Sequence, residues 1–352
     1  MPDRRDSAVW GASSMRRTIF TGICLLAAAF VANAADICPV VRQQQFSTET
    51  ATRIAAIACN ENLLWYRPFI GGDGRVASTT VTEGESTRLA DGTEVWRRVA
   101  SYWRESGLLG QMGGFPGASD CGYVMGDHNS LSPCRAFVID NPWSAAFVSY
   151  VMKKADVPGF RASAGHFDYV RDAYLHPEGS AFLYLDPATA KPGTGDLLCY
   201  VRIPGRAYGY AGLIAAIGTN NGSLNMHCDI IVAVNPDNDG KVYSIGGNVQ
   251  QGVTMRLLHV NRAGNFWGLP QRPGAVVPCS PDTESSCNFN RQDWAVLLKL
   301  KPPSVLAQMG PVYDVSAPPQ VMPAPTPGQA CCINCVVGAD PPVPRCPVPG
   351  SP

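Results

Sequence analysis

The sequence predicts an α+β fold: helices in the first half of the folded region, then a meander of antiparallel strands. Two observations carry this. Asp140-Asn141-Pro142 opens an amphipathic run in which Phe147, Val148, Val151 and Met152 recur at helical spacing. Further on, the β-branched run His227 to Val234, the turn-rich Asn235-Pro236-Asp237-Asn238-Asp239-Gly240 and the run Lys241 to Ile245 read as a hairpin.

The elements follow in order. Ser47-Thr48-Glu49-Thr50 is a capping signal, so residues 47–65 read as a helix. Residues 69–90, rich in Gly, Ser, Thr and Asp, read as a loop. Val95, Val99, Tyr102, Trp103 and Leu108 give a helix over 91–109, and residues 110–135 return to loop composition. In the helix after Asp140, Asn141 is positioned to cap and Pro142 to occupy the first turn, where a missing N–H costs nothing. Ser163 is placed to cap a further helix ending near Tyr174. The pattern then turns to strands at Leu197–Ile203, 227–234, 241–245 and 253–260, with 204–224 a Gly- and Asn-rich connection and 292–300 a strand or short helix. Prolines dominate from about Lys301, so residues 301–352 read as an extended tail. Residues 35–135 are then an N-terminal helical extension and 136–300 the core.

The ends of the chain bear on location. Met15-Arg16-Arg17, the uncharged run Ile19 to Val31 and Ala32-Asn33-Ala34 have the three parts of a secretory signal peptide over residues 1–34, with Met15 an alternative start. The run is shorter than the ~20 residues that a membrane span needs. Cys24 lacks the preceding small residue that lipid attachment prefers. The expectation is an exported chain, periplasmic or extracellular, with no transmembrane span once processed. Thirteen cysteines fit an oxidising compartment. Cys38 with Cys59, Cys121 with Cys134 and Cys279 with Cys287 are close enough to pair, although spacing does not fix connectivity. Cys331-Cys332-x-x-Cys335 has the outline of a metal knuckle, but no histidine accompanies it and disulfides are the better expectation. No cofactor or metal is implied. Twenty-eight basic residues balance 28 acidic ones, which excludes the basic footprint of a nucleic-acid binder.

The chemistry centres on Ser144, in the first turn of the helix after Pro142. Free N–H groups and the positive end of the helix dipole meet there. A serine needs a base, and His227 begins a strand. Pairing Val234 with Lys241 puts His227 opposite Asn248, within reach for the amide to orient the ring. Ser144, His227 and Asn248 are thus the candidate catalytic set, with Asn141, Trp143 and His166 as candidate substrate contacts. Each has a plainer alternative: a helix-start serine that packs, a strand-end histidine, a turn asparagine, a tryptophan packed at the helix entry, a buried His166.

Trp143-Ser144-Ala145-Ala146-Phe147-Val148 resembles the Trp-Cys-Ala-x-Phe-Val segment of papain-like bacterial cell-wall hydrolases of the CHAP and NlpC types. Gly195-Asp196-Leu197-Leu198, His227-Cys228-Asp229-Ile230-Ile231-Val232 and Tyr243-Ser244-Ile245-Gly246-Gly247-Asn248 resemble their later motifs, in the same order, over residues 140–260. The chain is also similar to a secreted bacterial domain-of-unknown-function family whose helix reads Pro-Trp-Ser-Ala-Ala-Phe. The resemblance implies a papain-like core and hydrolysis of amide bonds, in peptidoglycan peptides or another envelope component. Ser144 stands where those enzymes have cysteine, so a Ser-His-Asn mechanism would need stronger base assistance. The backbone N–H of Ser144 and the Asn141 side chain are the oxyanion donors that the sequence offers. The alternative is a non-catalytic envelope-binding module on the same fold. Neither a Gly-x-Ser-x-Gly elbow nor a His-Glu-x-x-His zinc motif occurs.

Overall fold

A computed structural model describes residues 36–83, 87–123, 128–219, 222–272 and 279–309. The expected signal peptide, Cys331-Cys332-x-x-Cys335 and nearly all of the proline-rich tail lie outside the described residues. Eight helices and one eight-stranded sheet are present among those described.

The helices are α1 (Cys38–Val41), α2 (Thr50–Leu64), α3 (Val95–Glu105), α4 (His128–Asp140), α5 (Ser144–Lys154), α6 (His166–Leu175), α7 (Gly209–Thr219) and α8 (Pro303–Leu306). The strands are β1 (Phe69–Ile70), β2 (Val76–Ala77), β3 (Phe182–Leu185), β4 (Leu197–Val201), β5 (Met226–Val234), β6 (Lys241–Val249), β7 (Gly252–His259) and β8 (Asp293–Leu300). Their order across the sheet is β2-β1-β7-β6-β5-β4-β8-β3. All pairings are antiparallel except β1 with β7. No described helix is long and apolar enough to cross a membrane.

Helices α2 and α5 pack on the central strands, and α3 packs on α5. A buried polar knot joins these three helices. Glu61 of α2 accepts hydrogen bonds from Arg98 Nε (2.8 Å) and Tyr102 Oη (2.8 Å) of α3 and from Tyr150 Oη (3.2 Å) of α5. A buried carboxylate is tolerable only when paired and hydrogen-bonded in this way. The segment before residue 135 is therefore fastened to the core that carries Ser144.

Four disulfides are formed: Cys38–Cys59, Cys121–Cys134, Cys199–Cys228 and Cys279–Cys287. Three are the close pairs that spacing suggests. The fourth joins residues directly opposite on β4 and β5, a pairing that only the sheet register reveals.

Several expectations are corrected. Residues 110–135 are not all loop, because α4 begins at His128. Pro133 and the polar first half mask its periodicity, while Cys134, Phe137 and Val138 are buried. The connection 204–224 contains α7, whose exposed start draws on a distant cap: Asp293 of β8 accepts from the Tyr208 and Gly209 N–H groups at 2.7 and 2.8 Å. The segment 69–90 contributes the short strands β1 and β2. The tail does not begin at Lys301, since α8 follows and buries Leu306. Asn141 does not cap α5. Its amide donates to the Phe137 carbonyl at 2.8 Å, closing α4, and α5 starts at Ser144 after Trp143.

The hairpin register differs next to the turn and returns to the expected one beyond it. Val234 pairs with Val242, not Lys241; a bulge between Ile231 and Ala233 then brings Ile231 opposite Ser244 and Ile230 opposite Ile245. The ladder between β5 and β6 runs no further, and β6 turns away through Gly246 and Gly247. Asn248 therefore does not come opposite His227.

Replacing both Cys199 and Cys228 by Ala releases a cross-link spanning 29 residues between central strands. The expected loss is roughly 2–4 kcal/mol of unfolding free energy, read by denaturant titration under oxidising conditions.

Candidate functional site

The site forms where β5 and β6 part. At that point β5 pairs with β4 on one side only, and the start of α5 and the first turn of α6 approach the gap. Two adjacent glycines make the approach possible. A Cβ on Gly247 would lie 2.4 Å from the Phe147 Cβ of α5, so the helix sits directly on bare backbone. A Cβ on Gly246 would lie 2.1 Å from Asp229 Oδ1 and 2.8 Å from His227 Nε2 on the other side of the strand.

Ser144 is the first residue of α5 and remains 6 % exposed. Its Oγ lies 2.7 Å from Nε2 of His166, the first residue of α6. The other ring nitrogen of His166, Nδ1, meets the hydroxyl of Tyr169 one turn along the same helix. Burial holds His166 well below the ordinary histidine value, and positive charge at His227 would push it further down. Burial likewise pushes the Tyr169 phenol well up. Both side chains are thus neutral near pH 7. With Nδ1–H donating to the Tyr169 oxygen, Nε2 keeps its lone pair for the Ser144 hydroxyl.

His227 does not hydrogen-bond Ser144. Its ring stands 5.1 Å, centroid to centroid, from that of His166 and 5.1 Å from that of Tyr200. It is held by Asp229, two residues on along the same face of β5, through Nε2 to Oδ1 at 2.8 Å. The other carboxylate oxygen accepts from Arg256 Nε at 2.8 Å. Arg256 also donates to the Phe289 carbonyl and to Asn290 Oδ1. Burial alone would raise the Asp229 carboxyl, but Arg256 and His227 outweigh it and hold the group well below the carboxylate range. Asp229 is therefore an ionised acceptor, so the proton on His227 sits on Nε2. Burial lowers the His227 pKa, leaving the ring neutral with an open lone pair on Nδ1. That Nδ1 is buried without a hydrogen-bond partner.

Asn248 has a left-handed backbone (φ 54°) and serves the helix entry instead of a histidine. Its amide oxygen accepts from the Trp143 backbone N–H at 3.2 Å, and its NH₂ donates to Glu83 Oε2 at 3.3 Å. The same Glu83 oxygen accepts from Trp143 Nε1. The Trp143 ring is fully buried and stacks on Trp65 at 5.6 Å, so it packs the helix entry and presents no face to a ligand. Asn141, committed to Phe137, is not free to donate to an oxyanion. The unpaired N–H groups of the first turn of α5 are what the helix itself offers there.

Of the residues singled out from sequence, the structure thus brings Ser144 and His166 into contact, with His227 beside them. Asn248 and Trp143 lie at the helix entry, and Asn141 faces the preceding helix. Asp229, Arg256 and Glu83 are additions, and Tyr169, a sequence neighbour of His166, takes its second ring nitrogen. Asp229 carried a usable signal, because residues two apart on a strand share a face. Tyr169 follows His166 at i+3 on a helix, a pair that meets for the same kind of reason. Arg256 and Glu83 reach the site through tertiary packing alone. No set of three or more potential metal ligands is grouped among the described residues.

Residues 90–300 match a family described as an uncharacterized protein conserved in bacteria, DUF2272. The match contains Ser144, His166, Tyr169, His227, Asp229, Asn248 and Arg256, and excludes Glu83. Neither a curated protein nor a solved structure matches the chain.

Two outcomes follow. Below about pH 6.5 the unfolded chain takes up protons that the folded His166 and His227 refuse, so it binds more protons and stability falls as pH falls. The Asp229 contribution is complete above its ordinary value of 3.8 and is lost only as pH drops through its lower folded value. Asp196, raised to about 6 by burial, and Glu83, also raised, act in the opposite direction over the same window, so the histidine part is read as a difference: any fall in Tm from pH 7 to 5 should be smaller in His166→Gln than in the wild type. Separately, Arg256→Met leaves the Asp229 charge buried with its cation removed. Denaturant titration should show a loss of about 3–5 kcal/mol.

Proposed function

The chain belongs to the DUF2272 family of bacterial proteins, and on that premise we propose that it is an exported amide hydrolase with a papain-like arrangement and a serine nucleophile, acting on peptidoglycan peptides. The observation that carries this reading is the 2.7 Å contact between Ser144 Oγ, at a helix N-terminus, and the neutral imidazole of His166. Export is supported by the leader-like residues 15–34 and by four disulfides. The peptidoglycan substrate is supported by the order of motifs shared with cell-wall hydrolases over residues 140–260.

In this mechanism Ser144 Oγ attacks the amide carbonyl while His166 Nε2 takes its proton. Tyr169 holds the ring by accepting from Nδ1–H. The ionised Asp229 favours the imidazolium that forms, since its charge acts to raise the His166 pKa. His166 then returns the proton to the departing amine, and water releases the acyl group by the reverse sequence. N–H groups of the first turn of α5 are the donors available to the developing oxyanion. His166 replaces His227 as the base in this scheme, and His227 with Asp229 lies alongside it.

One observation favours a second reading, a non-catalytic envelope-binding module. Ser144, His166 and His227 are all nearly covered, as they would be in a network that only holds helices to the sheet.

Turnover of a muropeptide set by the oxidised mature chain separates the two. The hydrolase reading expects turnover that falls by about 10²-fold or more in Ser144→Ala and in His166→Ala. It also expects an acid limb of the rate profile below pH 6.5, because a base with a lowered pKa stays unprotonated further into acid. Turnover that Ser144→Ala leaves intact would reject the serine mechanism.

A further inference from the structure

Arg202 is the residue immediately after β4, and its side chain is exposed. The β4–β5 register fixes where it stands. Tyr200 lies opposite His227, Val201 lies opposite Met226, and the Arg202 N–H continues the ladder by donating to the Asn225 carbonyl at 2.8 Å. Residues two apart on a strand share a face, so Arg202 projects on the Tyr200 side, diagonal to His227. Diagonal neighbours on paired strands lie about 7–8 Å apart, within reach of a long side chain. Its positive charge opposes protonation of both His166 and His227.

Its neighbours are otherwise committed. Asp229 serves His227 and Arg256. Asp293, opposite Val201 on the other side of β4, serves the start of α7. Arg206 stacks on Tyr208, and Arg272 donates to the Ile203 and Arg206 carbonyls, so the loop after β4 gathers positive charge without a balancing carboxylate from these two strands. Among the described residues, no side-chain hydrogen bond or ion pair engages the Arg202 guanidinium. An exposed cation on the side of the sheet that carries His227, His166 and Ser144 complements an anionic group of a bound peptide. An amino-acid residue with a free carboxylate, joined through its amide, is such a group.

Resting on the hydrolase reading of Ser144 and His166, we propose that Arg202 is a specificity-determining residue that binds a free carboxylate of a peptide substrate close to the bond that is cut. The guanidinium fork suits a carboxylate in two-point contact. The substrate class is then an acidic peptide, and capping the carboxylate as an amide removes the preference.

The test uses the full mature chain, oxidised, with Ser144→Ala as the background so that binding is read without turnover. A peptidoglycan stem tripeptide and its carboxyl-amidated form are titrated calorimetrically into that chain with and without Arg202→Gln. The expected result is tighter binding of the acid form, a loss of tenfold or more in its affinity on Arg202→Gln, and no change for the amidated form. Equal losses for both peptides, no loss for either, or no binding of the acid form overturns the proposal. With Ser144 restored, turnover of the tripeptide that does not depend on Arg202 rejects the recognition role while sparing the hydrolase. Arg202-dependent binding without turnover does the opposite. Circular dichroism of each variant separates lost recognition from lost folding.

Discussion

The hydrogen bond from Ser144 to His166 is the interaction on which the rest of the site depends. It joins the first residues of two helices, and each end is fixed for a different reason. Ser144 is fixed because Asn248 and Glu83 grip Trp143 just before it, and because Gly247 lets α5 rest on bare strand. His166 is fixed because Tyr169 takes its other nitrogen one turn along. Burial then supplies the chemistry. A solvent-exposed imidazole is partly protonated near its ordinary value, whereas this one is kept neutral and able to accept.

The two histidines are neighbours with different anchors. His166 leans on a neutral phenol; His227 leans on an ionised carboxylate that is itself bound to Arg256. The ionised carboxylate fixes the His227 proton on Nε2, whereas a phenol can donate or accept, so the His166 proton sits on Nδ1 when Ser144 donates to Nε2. The Asp229–Arg256 pair lies toward one end of β5 from His227, and Arg202 toward the other. A buried ion pair such as Asp229–Arg256 is weak evidence for stability. Its place here is better understood as fixing the tautomer and orientation of His227, while Gly246 leaves the space in which the carboxylate and the ring meet.

Much of the fold was legible from the sequence, because long amphipathic runs and turn clusters are local signals. The helix of Phe147, Val148, Val151 and Met152 and the hairpin around Asn235–Gly240 are both present. Four helices were not legible: the single-turn α1 and α8, and the longer α4 and α7. A proline and a polar first half interrupt the periodicity of α4, and the start of α7 is capped by an aspartate 84 residues away. In the site, Ser144 and its place at a helix start could be read directly. The partner could not. Beyond the bulge between Ile231 and Ala233 the hairpin is back in the expected register, but β6 leaves β5 before His227, and sequence periodicity does not announce where a ladder ends. His166 was visible as a candidate contact, yet only the packing of α6 against the end of the sheet places it on the serine.

The central claim is that His166 activates Ser144, and a covalent probe tests it most directly. The oxidised mature chain is incubated with a small fluorophosphonate, and the site of modification is mapped by mass spectrometry. The account predicts labelling at Ser144 that is lost in Ser144→Ala, falls sharply in His166→Gln and weakens as pH drops far enough to protonate His166. An unlabelled wild-type chain, or labelling of Ser144 that His166→Gln leaves undiminished, would contradict it.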